Sequence, residues 1–336
     1  MKRRTFISNT AYSTFGLSLL GLYACKNKSS NQKSISDQNT IIPEPTSSVK
    51  LSLAQWSLHK MILNKTLNPM DFAQKAKDLG FEALEYVSQL YIPEIEKRGN
   101  TDQAILEIMV ALKEKSDALK MDNQIMMVDL HDENELLASA DPNYRSKAVE
   151  KHKVWVDATE ILGCHSMRVS LFGSPEQQAW VSNAIKSMTE LCEYAAKKNI
   201  NVIVENHGYF SSNAALVVKV MEGVNMPNCG TLPDFGNFCL KRKGNELWST
   251  PCIEEYDKYQ GVRELMPYAK GVSSKSFNFD NNGKETTIDF LKMMRIVKDA
   301  GYNGYVGIEY EGEELSEEEG ILATKALLVN VAKELK

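Results

Sequence analysis

A closed (β/α)8 barrel is the fold this sequence predicts, on three observations. Eight short apolar runs alternate with amphipathic helical stretches, one helix-to-strand phrase recurs, and no glycine-rich phosphate loop follows the first strand. The phrase is Lys75-Ala76-Lys77-Asp78-Leu79-Gly80-Phe81 before an alternating run to Val87, and it returns as Ile296-Val297-Lys298-Asp299-Ala300-Gly301-Tyr302 before a run to Tyr310. A looser copy, Glu160-Ile161-Leu162-Gly163-Cys164, precedes Ser166-Met167-Arg168-Val169-Ser170-Leu171. In each, a glycine at the C′ position stops an amphipathic helix, an aromatic or small residue follows, and a strand begins.

Taken in order, the strands are expected over 51–55, 83–87, 124–128, 166–171, 201–204, 229–232, 271–274 and 305–308. The run at 124 is the weakest, because its methionines suit a helix as well. Those ahead of Glu205, Asp234 and Glu309 are the clearest: apolar residues end abruptly in polar ones. Helices are expected between them over 70–79, 101–119, 144–162, 175–198, 214–222, 256–266 and 287–300. Nothing in the pattern calls for a second domain, so residues 50–336 are assigned to one barrel.

The N-terminus reads differently. Lys2-Arg3-Arg4-Thr5-Phe6-Ile7 resembles a twin-arginine export signal, residues 11–22 are a short apolar run, and Leu22-Tyr23-Ala24-Cys25 resembles the lipobox of bacterial lipoproteins. The run is too short and too rich in Ser, Thr and Gly for a good membrane span. Residues 1–25 are therefore expected to be a signal peptide ending at Cys25, the lipidation site, and 26–49, with its Lys, Ser, Asn, Gln and two prolines, a flexible tether. The mature protein is expected in the cell envelope, lipid-anchored on the periplasmic side.

Composition narrows the partners. With 43% hydrophobic and 25% charged residues the chain is ordinary for a globular protein. Its net charge of −5, with no basic run beyond the extreme N-terminus, disfavours nucleic acid. Five cysteines follow Cys25, an odd number without Cys-x-x-Cys spacing, which predicts neither a disulfide framework nor a zinc cluster but small buried hydrophobes. Association of identical copies is left open.

In such barrels the chemistry lies at the C-terminal strand ends. The residues there are Gln55, Trp56 and His59; Glu85; Asp129 and His131; Arg168; Glu205, Asn206 and His207; Asp234 and Asn237; Lys275; and Glu309 with Glu311. Carboxylates at two neighbouring strand tips, Glu205 and Asp234, ask for a cation, a base role, or an Arg or Lys partner; the bland alternative is helix capping. Lys275 ends an apolar strand and needs a carboxylate partner. Trp56 is a candidate to stack on a sugar face, with packing as the alternative. Arg168 is a candidate for a substrate oxygen or a carboxylate, His165 is read as a core histidine, and the acidic run 311–319 as a solvated loop and helix start.

With those tips in hand, the chain from about Leu51 onward resembles the sugar phosphate isomerase/epimerase superfamily, the xylose isomerase-like barrels. The match rests on Glu205-Asn206-His207-Gly208, on Leu232-Pro233-Asp234-Phe235-Gly236-Asn237-Phe238, on Val272-Ser273-Ser274-Lys275, and on Gly307-Ile308-Glu309-Tyr310-Glu311-Gly312. The resemblance implies a divalent cation on Glu205, Asp234 and Glu309. It departs from the family at the seventh strand, where a histidine ligand is replaced by Ser273, and three residues past the aspartate, where Asn237 replaces another histidine. The metal site is then reduced, completed by His207 or water, or lost. Such a carboxylate set suits Mn or Mg, with Zn open if His207 binds.

The resemblance implies an isomerase or epimerase that moves a proton next to a carbonyl through an enediolate, with Glu205, Glu309 and Lys275 as catalytic groups and Trp56, His59, Arg168, His207 and Asn237 around the substrate. Export points to a non-phosphorylated sugar or keto-sugar. Two alternatives are kept: a lyase or hydratase acting on 3-keto-glycosides, and a sugar-binding lipoprotein that has lost catalysis. The apurinic endonuclease branch shares the fold, but its basic face and several of its histidines are missing.

Overall fold

The computed structural model describes residues 49–336 except 247 and 248. The export signal, Cys25 and the tether up to residue 48 lie outside the described residues. Eight parallel strands form the barrel: β1 (Lys50–Ala54), β2 (Ala83–Val87), β3 (Asp122–Val128), β4 (Ser166–Val169), β5 (Asn201–Glu205), β6 (Cys229–Leu232), β9 (Val272–Ser276) and β10 (Tyr305–Tyr310). Between β6 and β9 the chain inserts an antiparallel hairpin of β7 (Cys239–Arg242) and β8 (Cys252–Glu255).

Ladder order runs β6-β5-β4-β3-β2-β1-β10-β9. Parallel bridges Thr231–Ala269 and Asp234–Ser273 join the two outer members, with Ser273 N donating to Pro233 O at 2.9 Å and Phe235 N to Ser273 O at 3.1 Å. The closing contact is thus made at the level of Asp234. All eight expected barrel strands are present, the methionine-rich third among them, with Met126 and Met127 buried between its neighbours.

The recurring phrase does what its composition dictates. The helix Pro142–Leu162 ends on Gly163 at φ 79°, and Gly301, at φ 75°, follows the helix Phe290–Asp299. Left-handed backbone costs glycine nothing, so the chain turns at once into the next strand. Helices start on side-chain caps, such as Thr101, Asp141 and Asn213, and Ser316 forms a capping box with Glu319.

Glu85 does not sit at the catalytic mouth. It lies mid-strand in the barrel interior, accepts from Ser52 Oγ at 2.5 Å, and faces Gly307, where a Cβ would stand 2.5 Å from its carboxylate oxygens. Only glycine lets β10 pass so close. Burial pushes the Glu85 carboxyl up to about 7, against the bond from Ser52.

Two further expectations are corrected. Cys239 and Cys252 form a disulfide across the hairpin, Cα atoms 5.8 Å apart; only Cys164, Cys192 and Cys229 are the buried free thiols foreseen. Counting overlooked the bond because only the folding of the hairpin brings residues 13 apart in sequence within disulfide reach. Nor is the acidic run uniformly solvated. Glu317 is 7% exposed and accepts from the amides of Lys60 at 2.6 Å and Met61 at 2.9 Å, tying the last helix, Glu317–Glu334, to the first β-to-α connection. Among the described residues no helix is long and apolar enough to cross a membrane.

Candidate active site

Glu205 ends β5, Asp234 follows β6 by two residues, and Glu309 lies near the end of β10; each offers an oxygen within 4.8 Å of the others, and all three are buried. Neither Glu205 nor Asp234 caps a helix. The turn after β6 is fixed first: Asp234 Oδ1 accepts from the amides of Gly236 and Asn237, both at 2.8 Å. Asn206 latches that turn to β5, accepting from Asp234 N at 2.8 Å and donating to Asp234 O at 3.0 Å and Asn237 O at 3.1 Å. Asn237 returns a bond of 3.1 Å from its amide to Glu205 Oε1.

Ser273 occupies the space between two of the acids. Its Oγ lies 2.6 Å from Asp234 Oδ2 and 2.9 Å from Glu309 Oε2. A hydroxyl has one proton to donate, so it satisfies one carboxylate at a time. The other contact requires a shared proton or a cation. Burial pushes the Asp234 carboxyl up to about 7, with the Glu309 charge adding to it and Lys275 opposing. Burial likewise holds Glu205 well above the ordinary range, opposed by Arg168.

Lys275 finds the carboxylates its position demanded: Nζ is 3.1 Å from Glu309 Oε1, 3.1 Å from Glu311 Oε1 and 4.0 Å from Asp234 Oδ2. Burial opposes its charge, but these neighbours hold its pKa well above the usual lysine range. Arg168 pairs with Asp129 through its terminal nitrogens, and Nε lies 2.9 Å from Glu205 Oε2 without the alignment of a hydrogen bond. Despite its burial, Asp129 is held down at about 2 by that guanidinium and by His207. His207 bonds Ser170 Oγ through Nδ1 at 3.3 Å, and burial with Arg168 beside it lowers its pKa to about 3, leaving it neutral.

The cavity above these groups measures about 570 Å³. Trp56, His59, Arg168, His207, Asn237 and Lys275, all expected near the site, line it. Trp56 and His59 stack on each other, ring centroids 4.5 Å apart, so the tryptophan already has one face covered. His165 stands apart, exposed before the first residue of β4 and bonded to Ser166 Oγ, so it is not a core histidine.

Sequence reasoning missed several participants. Ser273 registered only as an absent histidine, though it shares a strand face with Lys275 two residues on. Glu311 stands among the strand-tip residues of the sequence, but its reading with the solvated acidic run gave it no role, although its i, i+2 spacing from Glu309 carried the signal. Arg242, which reaches the cavity from the hairpin, had none.

The donor set fits a hard divalent cation. Asp129, Glu205, Asp234, Glu309 and Glu311 outnumber Arg168 and Lys275, the cluster offers oxygen only, and buried Glu205 Oε2 lacks a hydrogen bond. His207 is not part of the convergent set, so an imidazole ligand finds no support in the geometry.

A family model described as xylose isomerase-like TIM barrel matches residues 73–329. D-psicose 3-epimerase from Clostridium cellulolyticum H10, crystallised with D-tagatose, superposes with a TM-score of 0.61 at 14% identity over 84% of this chain and 99% of that one. The IOLI protein with a bound zinc atom gives 0.59 at 13% identity, over 85% and 99%. At these identities the likeness is one of fold. In sequence, 50 residues are 36% identical to the C-glycoside deglycosidase alpha subunit of Microbacterium trichothecenolyticum, a match spanning 15% of this chain and 14% of that relative.

Proposed function

The chain belongs to the xylose isomerase-like TIM-barrel family, and on that premise we propose that it is a divalent-metal-dependent isomerase or epimerase of a non-phosphorylated sugar or keto-sugar. The observation that carries this reading is the convergence of Glu205, Asp234 and Glu309 on one point at the barrel mouth with Lys275 beside them.

The residues divide the work as follows. A carbon next to a carbonyl gives up its proton when charge building on the oxygen is stabilised. Glu205, aimed by Asn237, takes that proton; its raised pKa makes it a stronger base once ionised. Glu309, carried on a strand separated from β5 by β6 and β9, returns a proton from another side. Lys275, charged and fixed between Glu309 and Glu311, holds the developing negative charge. Arg168 is clamped by Asp129 and orients substrate oxygens. A divalent cation held by Glu205, Asp234 and Glu309, Mn or Mg by its oxygen donors, supplies Lewis-acid polarisation of neighbouring sugar oxygens when bound.

Both buried cations are engaged by carboxylates, which favours an uncharged sugar over a phosphorylated one. The disulfide of the hairpin supports an oxidising compartment and thus an exported protein. A second reading, elimination from a keto-glycoside, is favoured by the segment shared with a C-glycoside deglycosidase: the same proton abstraction then expels a β-substituent.

Metal analysis of the purified protein with and without Glu205→Gln, together with solvent deuterium entering candidate keto-sugars, tests this reading. A divalent ion that co-purifies and is lost in the variant, with deuterium at the carbon next to the carbonyl, is expected. No ion and no exchange into any keto-sugar would leave a sugar-binding protein.

A further inference from the structure

A second cavity, of about 640 Å³, adjoins the carboxylate site. Phe172 is the partition: it lines this cavity, and its ring centroid lies 6.4 Å from that of His207 and 5.4 Å from that of His131, both on the wall of the first. The hairpin serves both sides, with Arg242 at the site and Leu240 at the second cavity.

Four aromatic residues line the second cavity: Phe172, Trp180, Tyr209 and Phe210. Their polar handles are engaged, since Trp180 Nε1 donates to Leu171 O at 3.0 Å and Tyr209 Oη to Asn245 O at 2.6 Å. Trp180 is all but buried, so Phe172, Tyr209 and Phe210 supply the ring surface, and Ser174, Gln177, Asn213, Lys241, Asn245 and Glu254 complete the wall. Trp180 and Phe210 meet edge to face, centroids 5.9 Å apart. Tyr209 sits at φ 48°, left-handed backbone that a bulky residue adopts only when its surroundings impose it. Ring faces gathered on one wall suit a flat apolar group stacked among them.

We propose that this cavity is a second-ring subsite, taking the aryl group of a glycoside whose sugar lies on Glu205, Asp234 and Glu309. The proposal deepens the sugar-enzyme reading and rests on it. It assigns Phe210 and Tyr209 to substrate choice without a part in proton transfer.

The test uses the full chain and three probes, 4-methylumbelliferone, methyl β-D-glucopyranoside and 4-methylumbelliferyl β-D-glucopyranoside, with binding followed by calorimetry. The free coumarin binds, and the linked glycoside binds at least about tenfold tighter than either part. Phe210→Ala weakens both coumarin probes by about tenfold and leaves the methyl glycoside unchanged. Phe210→Leu, which keeps the apolar volume, reproduces that loss in part and controls for folding. Absence of coumarin binding, insensitivity to both Phe210 variants, or a linked glycoside no tighter than the coumarin overturns the subsite. Tight binding of the linked glycoside with no deuterium exchange into any keto-sugar overturns the catalytic reading and leaves the subsite standing.

Discussion

Lys275 Nζ stands 3.1 Å from Glu309 Oε1, an ion pair in which the side chains are 2% and 7% exposed. A pair this deep is weak support for stability as a whole, but removing one member leaves an uncompensated charge. Lys275→Met is therefore expected to destabilise the fold by about 3 kcal/mol or more. Turnover should fall by at least about a hundredfold, as for removal of an oxyanion-hole donor. Chemical denaturation and steady-state kinetics on one preparation check both.

Metal binding should register as stability. A divalent ion at about 100 times its dissociation constant adds about 2.7 kcal/mol when only the folded state binds it. Mn or Mg is expected to raise the melting temperature of the native chain. In Glu205→Gln or Asp234→Asn that rise should shrink severalfold, with calorimetric titration of the metal as the check.

Glu85 gives a pH dependence of known sign. Its folded pKa of about 7 lies above its ordinary 4.5, so the folded state binds the extra proton. Its contribution is fully present below about pH 4.5 and is lost as pH rises through about 7, by about 3 kcal/mol at most. Glu85→Gln should flatten the stability profile over that window. Urea midpoints between pH 4.5 and 8 measure it.

The hairpin disulfide should matter locally. Cys239→Ser or Cys252→Ser frees a loop whose closure is worth about 3 kcal/mol in the chain-entropy model. The barrel ladders do not depend on it. The expected outcome is faster proteolysis within 239–255, a raised KM, since Arg242 leaves the cavity wall, and a melting temperature lower by several degrees.

The barrel was legible because its strands are buried on both faces and carry apolar runs that stop at polar tips; 201–204 before Glu205 is the clearest case. The three acids were legible for the same reason, since a carboxylate at the end of such a run has no other place to face. Glu85 misled because strand position is set by register: Val87, two residues on, lines the cavity, and Glu85 lies among the interior side chains below it. The hairpin was illegible because its strands are solvated; every residue of Cys252–Glu255 is exposed, so no hydrophobic alternation marks it. Its residues sit in place through one covalent bond and a few main-chain contacts, which leave little trace in composition.

That hairpin reaches the mouth without being a spoke of the barrel. It leaves after the sixth strand and re-enters before the seventh, its two strands cross-linked by Cys239 and Cys252. Whatever lies between those two anchors can lengthen, shorten or change its lettering without disturbing the wheel beneath. The three convergent acids and the hairpin beside them are thereby free to diverge at separate rates, as loops on a rigid scaffold do.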